Sequence, residues 1–131
     1  MKVRSLFHPY VVCATPWNTL MDAARLMRKG EFSCLPVLAH DDLVGIITER
    51  DLVDAVANGG QPAKSHVVDY MNEAPVTVGP DEDSAVAATR MLALGCRHLP
   101  VVEDGKLIGI VSARDLLLLA ARPTLEVLRA V

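Results

Sequence analysis

Aromatic side chains are scarce in this sequence: they make up 4% of its 131 residues, although 51% of the residues are hydrophobic. A chain of this length buries roughly two-thirds of the surface that its unfolded form exposes. Its core must therefore be built mainly from aliphatic side chains. This composition is typical of a folded α/β protein and excludes a disordered chain.

Cysteine is also sparse, and its count is odd. Cys13, Cys34 and Cys96 are irregularly spaced, which is not the pattern of a secreted disulfide framework. The longest uninterrupted aliphatic run, Leu116–Ala121, is far shorter than the roughly 20 residues of a membrane helix. The N-terminus has no apolar run of signal-peptide length. We therefore expect a reduced, cytoplasmic protein that does not enter a membrane.

Excess basic charge, catalytic signatures and metal-ligand patterns are lacking as well. The net charge of −3 gives no general attraction to nucleic acid, so a nucleic-acid partner is not expected. No nucleophile elbow, phosphate loop or pair of catalytic carboxylates appears, which argues against an enzyme. The histidines are scattered and no cysteine lies at metal-ligand spacing, so no metal site is predicted. These histidines are His8, His40, His66 and His98.

What the sequence does contain is an internal duplication. Residues 15–57 align with residues 79–121 without a gap, at a constant shift of 64 positions. The identities span a helix, a hairpin and a helix start together, which indicates two copies of one unit. They include Pro16/Pro80, Ala23/Ala87, Met27/Met91, Leu35/Leu99, Pro36/Pro100, Val37/Val101, Gly45/Gly109, Ile46/Ile110, Arg50/Arg114 and Asp51/Asp115. We place the two repeats at residues 1–60 and 61–131, with a linker-like segment at Asn58–Ser65.

Each copy has the pattern of a strand, a helix, a hairpin and a second helix. The elements predicted for copy 1 are a strand at Val11–Ala14, a helix capped by Asn18 or Thr19 and stopped at Gly30, strands at Leu35–Leu38 and Leu43–Ile47 around a turn at His40–Asp42, and a helix at Glu49–Ala57 capped by Thr48. Those predicted for copy 2 are a strand at Val76–Val78, a helix after Pro80 and Asp81–Asp83, strands at Leu99–Val102 and Leu107–Val111, a helix from Ala113, and a short terminal helix at Thr124–Val131.

The most informative stretch is the turn from the last strand into the last helix of each copy. It reads Gly45-Ile-Ile-Thr-Glu-Arg-Asp51 in copy 1 and Gly109-Ile-Val-Ser-Ala-Arg-Asp115 in copy 2, and each follows a Leu-Pro-Val strand. In these motifs each half resembles a CBS domain. Over about residues 3–121 the chain is similar to a stand-alone, prokaryotic-type tandem CBS pair, also called a Bateman module.

This resemblance implies an α/β (α+β) fold of two tandem β-α-β-β-α repeats, packed about a pseudo-twofold axis with two clefts between them. In this family the clefts bind adenine nucleotides or related adenosyl ligands, and the pairs usually form homodimers of four repeats. The implied function is a non-enzymatic regulatory module without a required cofactor. It would bind AMP, ADP, ATP or another adenosyl compound and signal by a conformational or dimer-interface change, with an unidentified protein as a further partner. The alternative is a ligand-free scaffold for dimerisation or protein interaction.

The turn residues also suit such a ligand on chemical grounds. An ionised aspartate accepts two hydrogen bonds from a ribose diol, and an arginine beside it offers a charged fork for phosphates. A serine or threonine at the helix N-cap can donate to a phosphate oxygen, next to backbone N–H groups that favour negative charge. Adenine needs an apolar slot with backbone partners. The candidate ligand-binding residues are Thr48, Arg50, Asp51, Val76, Thr77, Arg97, His98, Ser112, Arg114 and Asp115.

The two copies differ close to this turn. Copy 2 carries Arg97-His98 before its Leu-Pro-Val, where related modules place phosphate-contacting residues, whereas copy 1 carries Ser33-Cys34. We therefore expect Ser112 and Asp115 to mark the first site. Purely structural roles stay open at this stage, because both hydroxyls cap helices and both arginines suit surface ion pairs. Which cleft is occupied also stays open.

Overall fold

The computed structural model describes residues 1–121 of the chain. Four α-helices and two small antiparallel sheets form an α+β fold of two repeats, which confirms the predicted class. The elements are α1 Leu20–Gly30, β1 Cys34–Ala39, β2 Asp42–Thr48, α2 Glu49–Ala57, α3 Ser84–Leu94, β3 His98–Glu103, β4 Lys106–Ser112 and α4 Ala113–Ala121. The helix predicted at Thr124–Val131 lies outside the described residues. No helix within residues 1–121 combines the length and apolarity needed to cross a membrane.

Short-range hydrogen bonds fix where the helices begin. Thr19, one of two predicted caps, forms a reciprocal capping box with Asp22 at the start of α1. Asp83 caps α3 by accepting a hydrogen bond from the backbone N–H of Ala85 at 2.9 Å. At the other end of α1 the sequence prediction was off by one residue. Gly30 is the last helical residue, and Glu31 takes the left-handed conformation at φ 58° that normally favours glycine.

Both predicted hairpins form, and each of their strands is one residue longer at either end than predicted. The first turns at His40 and Asp41, and both residues have positive φ. The second turns at Asp104 and Gly105, again with two positive φ values. Two consecutive positive φ angles match the right-handed twist of the adjoining strands, which is why two-residue hairpins use this turn.

The strand predicted at the start of each repeat is wrong in extent. Only Ala14 pairs with Val37 and only Val78 pairs with Val101, each as a single parallel bridge. Prolines at positions 9, 16, 75 and 80 flank these segments, and a proline has no N–H to donate to a ladder. Each repeat is therefore one hairpin covered by two helices, with one bridging residue beside the hairpin.

The two hydrophobic cores exchange segments between the repeats. Val67, in the 3-10 helix Val67–Asp69, is fully buried in the core of the first repeat, between α1, α2 and the first hairpin. Val3, in the 3-10 helix Val3–Ser5, is fully buried in the core of the second repeat. The predicted division at residue 60 follows the sequence repeat, whereas each core contains a segment from the other side of that division.

Two glycines make this exchange possible. The backbone of His8 forms two hydrogen bonds with Ile110, at 2.8 and 2.9 Å, and Asn72 forms the same pair with Ile46, at 2.9 and 3.0 Å. A Cβ atom on Gly109 would overlap the carbonyl of His8, and one on Gly45 would lie 2.9 Å from the carbonyl oxygen of Asn72. The glycine of each turn motif is therefore required by the close approach of a segment from the other repeat.

Candidate ligand-binding cleft between the repeats

A cleft of about 690 Å³ lies between the two repeats, within the size range of small-molecule sites. We call it the first cleft. Its wall combines the N-terminal segment, the end of α1 and the ends of the second repeat's hairpin. Five of the ten candidate residues line it: Arg97, His98, Ser112, Arg114 and Asp115. The other lining residues are His8, Tyr10, Gly30, Glu31, Phe32, Ile110 and Leu118.

Ser112 and Asp115 meet in this cleft at the start of α4. One carboxylate oxygen, Oδ2, accepts hydrogen bonds from the hydroxyl of Ser112 at 2.8 Å and from its backbone N–H at 3.2 Å. The other oxygen, Oδ1, lies 3.2 Å from Nε2 of His8. Burial raises the pKa of Asp115, but the hydrogen bonds from Ser112 and His8 outweigh it and lower the pKa overall. The cleft therefore contains an ionised carboxylate at neutral pH.

His8 occupies a position that a ligand hydroxyl could take. Its ring is largely exposed, whereas the side chain of Asp115 is mostly buried. The carboxylate oxygen Oδ1 of Asp115 is therefore covered by a side chain that faces solvent.

Arg97 and Arg114 bring positive charge to the first cleft. Nη2 of Arg97 lies 3.1 Å from a carboxylate oxygen of Glu49, and both side chains are exposed. This pair links the residue before β3 of the second repeat to the first residue of α2. Arg114 precedes Asp115 in the first turn of α4, where the helix N–H groups also favour an anion. Two arginines therefore line the first cleft, which also contains the N-terminus of α4.

His98 is half-buried at the start of β3. Its ring stands edge-on to Phe32 of the first repeat, with 5.6 Å between the ring centroids and 73° between the planes. Burial and the nearby Arg97 guanidinium lower the pKa of His98, against the opposite influence of Asp115 and Glu49. This histidine is therefore neutral at neutral pH.

The equivalent candidates of the first repeat lie elsewhere. Thr48 is buried and forms a reciprocal capping box with Asp51. The guanidinium of Arg50 lies against Gly95, so closely that a Cβ atom there would be 2.8 Å from Cζ of Arg50. Arg50 therefore lies at the end of α3. Gly95 and Arg50 are equivalent to Glu31 and Arg114, which line the first cleft, so Arg50 fills part of the corresponding space on the other side of the molecule.

The last two candidates, Val76 and Thr77, do not line the first cleft. Val76 packs against the core of the second repeat. The carbonyl of Thr77 accepts a hydrogen bond from Nη1 of Arg90 at 2.9 Å. These contacts give both residues a role in holding α3 to the preceding segment.

Sequence reasoning missed the contribution of the N-terminal segment and of the end of α1. His8, Tyr10 and Phe32 carry no motif of their own. One signal was available, because the shift of 64 also aligns Val3 with Val67. This match supports the placement of the N-terminal segment in the first repeat. It does not show that the segment packs in the core of the second repeat.

Comparison with known protein families matches the CBS domain twice, at residues 3–58 and 67–122. Together the two matches cover most of the chain. The chain belongs to the CBS domain family. A CBS pair is a regulatory module, and the two small sheets with four helices are the two tandem CBS repeats that the turn motifs predicted.

Two curated relatives show the range of proteins that contain this CBS pair. An inosine-5'-monophosphate dehydrogenase of Korarchaeum cryptofilum is 39% identical over 114 residues, covering 86% of this chain but 23% of the dehydrogenase. An uncharacterised 17.7 kDa protein of Acidianus ambivalens is 38% identical over 128 residues, covering 96% of this chain and 74% of the relative. This chain therefore spans less than a quarter of the first relative and most of the second.

Two solved CBS structures have the same fold. The CBS domain pair of protein MJ0100, in complex with 5'-methylthioadenosine and S-adenosyl-L-methionine, has a TM-score of 0.79 at 28% identity, covering 91% of this chain and 98% of that one. A hexameric CBS-CP12 protein from bloom-forming cyanobacteria has a TM-score of 0.76 at 28% identity, covering 89% of this chain and 66% of that one. CBS neighbours of this chain thus include an adenosyl-ligand complex and an oligomer.

Proposed function

We propose that this chain is a non-enzymatic regulatory module that binds an adenosyl ligand in the first cleft. The observation that carries the proposal is the ionised carboxylate of Asp115, which lies beside Ser112 at a helix N-terminus in a cleft of about 690 Å³. A carboxylate with one accessible oxygen suits a ribose diol. The helix end and the neighbouring arginines suit an anionic group attached to that ribose.

Each part of the ligand has a matching part of the cleft. The ribose would replace His8 on Oδ1 of Asp115, because the ring of His8 is largely exposed and can turn away into solvent. Phosphates would bind Ser112, Arg114 and Arg97. The hydrogen bonds from the two guanidinium groups would be charge-assisted and therefore stronger than bonds between neutral groups. The adenine would lie against apolar side chains of the wall, of which Phe32 and Ile110 come from different repeats.

Among adenosyl compounds, those with phosphates fit the charges best. Arg97 and Arg114 line the first cleft and can pair with phosphates, and Arg114 lies in the first turn of α4, where an anion is also favoured. AMP, ADP and ATP are therefore our first candidates. S-adenosylmethionine and 5'-methylthioadenosine, the ligands of the MJ0100 pair, are the next candidates.

Signalling would follow from the composition of the cleft wall. Residues of both repeats line it, so a bound ligand contacts both and favours the arrangement in which the repeats are closest. A ligand shifts such an equilibrium only by the difference in its affinity for the two arrangements. The change would be transmitted to a homodimer of four CBS repeats or to a protein target.

A second candidate function is a ligand-free scaffold. The apolar side chains of Val53, Val56 and Leu117 are exposed on α2 and α4. Val53 and Leu117 occupy equivalent positions of the two repeats, so the exposed surface repeats with the fold. Such surfaces favour association with a second copy or with another protein.

Calorimetric titration with AMP, ADP, ATP and S-adenosylmethionine tests the proposal. We expect binding of at least one compound, and Asp115→Asn should weaken it about 10- to 100-fold because a hydrogen bond to a charged group is lost. The matched control is Asp51→Asn, which alters the equivalent capping box away from the first cleft. The absence of binding at millimolar concentrations, or equal losses in both variants, would exclude the first cleft as the site and leave the scaffold.

A further inference from the structure

Ser33 of the first repeat is a buried polar residue that binds two groups of the second repeat. Only 3% of its surface is exposed. Its hydroxyl oxygen lies 2.7 Å from Nδ1 of His98 and accepts a hydrogen bond from the backbone N–H of Arg97 at 2.9 Å. Its own backbone N–H donates to Nδ1 of His98 at 3.1 Å. One residue of the first repeat therefore contacts two neighbours in the wall of the first cleft.

These contacts determine where the proton of His98 resides. A backbone N–H can only donate, so Nδ1 must present its lone pair to Ser33. The hydroxyl accepts from Arg97 and has a single proton of its own, which is then directed at Nδ1 as well. A neutral imidazole with a bare Nδ1 carries its proton on Nε2.

From this geometry we propose that Ser33 is a positioning residue that holds His98 as the neutral Nε2–H tautomer. His98 lines the first cleft, and Nε2 has no hydrogen-bond partner among residues 1–121. His98 is then a hydrogen-bond donor for an acceptor oxygen of the ligand. That last step rests on the proposed function, whereas the tautomer does not.

Other contacts hold the same residue in place. Phe32 stands edge-on to the ring. The carbonyl of His98 accepts hydrogen bonds from the thiols of Cys34, at 3.3 Å, and Cys96, at 2.9 Å. Ring and backbone are therefore fixed before a ligand arrives, which is the condition for a precise donor. Cys34 is fully buried and contributes to this arrangement.

This arrangement links the packing of the repeats to the chemistry of the cleft. The charged groups around the His98 ring are Arg97, Asp115 and Glu49. None of them donates a hydrogen bond to Nδ1 in place of Ser33. If the repeats separate, Ser33 leaves Nδ1, and both tautomers become available to His98. The Nε2–H donor is therefore the single tautomer only while the repeats are in contact.

The tautomer can be read directly from two-bond ¹H–¹⁵N correlation spectra of histidine-labelled protein at pH 7.5, without any ligand. We expect the His98 signals, assigned by their loss in His98→Gln, to show a bare Nδ1 and a protonated Nε2. In Ser33→Ala the hydroxyl is lost but the backbone N–H remains, so Nδ1 should stay unprotonated and its ¹⁵N resonance should move toward that of a lone pair with one hydrogen bond fewer. The control is Ser5→Ala, because Ser5 is exposed and its hydroxyl makes no hydrogen bond with described residues. A native Nδ1–H tautomer, or an unchanged spectrum in Ser33→Ala, would overturn the assignment.

A pair of His98 variants tests the donor role with AMP as the probe. Glutamine places an amide N–H near the position of Nε2, so His98→Gln should retain affinity within about threefold, whereas asparagine, which reaches only the position of Nδ1, should lose about tenfold. A larger loss in His98→Gln than in His98→Asn would contradict the donor role. If the native protein binds no AMP, the proposed function fails while the spectra still decide the role of Ser33.

Discussion

Asp51 and Asp115 occupy equivalent positions of the two repeats, but their surroundings differ. Both form a capping box with the hydroxyl residue three positions earlier. Beside Asp115 stands His8, while the residue equivalent to His8 in the other repeat is Asn72, whose side-chain oxygen accepts a hydrogen bond from Ala74 at 2.9 Å. The same motif therefore stabilises a helix start twice and forms part of an open cleft once.

His98 should make the stability of the protein depend on pH. Its pKa in the folded state is lowered, chiefly by burial, so the unfolded chain binds a proton more readily as the pH falls through about 6.5. The free energy of unfolding should therefore decrease between pH 7.5 and pH 5.5. Urea denaturation at both values should show a smaller decrease in His98→Gln than in the native protein. His40→Gln, in the first hairpin turn, is the control, and an equal reduction in that variant would contradict the assignment.

At the scale of secondary-structure elements, much of the fold was predictable because its signals are local. Thr19 and Thr48 are residue types that cap helix N-termini, and each Leu-Pro-Val segment forms the first strand of a hairpin. The contact between Gly109 and the backbone of His8 joins residues far apart in the sequence, and no periodicity records it. Glycine is required at position 109 by the segment that packs against it, and the turn motif itself does not encode that contact.

Gly109→Ala should destabilise the protein by about 1–3 kcal/mol, the usual cost of forcing extra atoms into a packed site. The reason is that its Cβ would overlap the carbonyl of His8 and the ring of Phe7. Gly79→Ala is the matched control, because the nearest atom to its Cβ would be 3.7 Å away, an ordinary contact. Thermal and urea unfolding of both variants give the comparison, and equal stability would show that the exchanged segment yields without strain.

For the whole molecule, the candidate cleft combines residues that the second repeat's motif predicted with a wall that no motif predicts. Five of the ten candidate residues come together in the first cleft, and all five belong to the second repeat. The opposite wall, with Glu31 and Phe32, depends on how the repeats pack. A duplicated sequence predicts two equal sites, whereas Arg50 packed against Gly95 makes the two sides unequal.

The exposed side chains of Val53 and Leu117 should mediate association of two copies. Their relative exposures are 66% and 67%, which is high for apolar residues at equivalent positions of two helices. We expect the native chain to sediment as a dimer and the double variant Val53→Glu/Leu117→Glu to sediment as a monomer. Trp17→Glu, at another exposed apolar residue, should leave the dimer intact. A native monomer would exclude this dimer. A monomer only in Trp17→Glu would place the dimer interface near Trp17 instead.

The exchange of segments also has a consequence for synthesis on the ribosome. The core of the first repeat is incomplete until Val67 has been synthesised. Val3 is synthesised earlier, but it can be buried only after the second hairpin has been made. Neither repeat can therefore complete its folding while the other is still unmade. The N-terminal end of the chain must wait for the second hairpin, so the core of the second repeat is completed last.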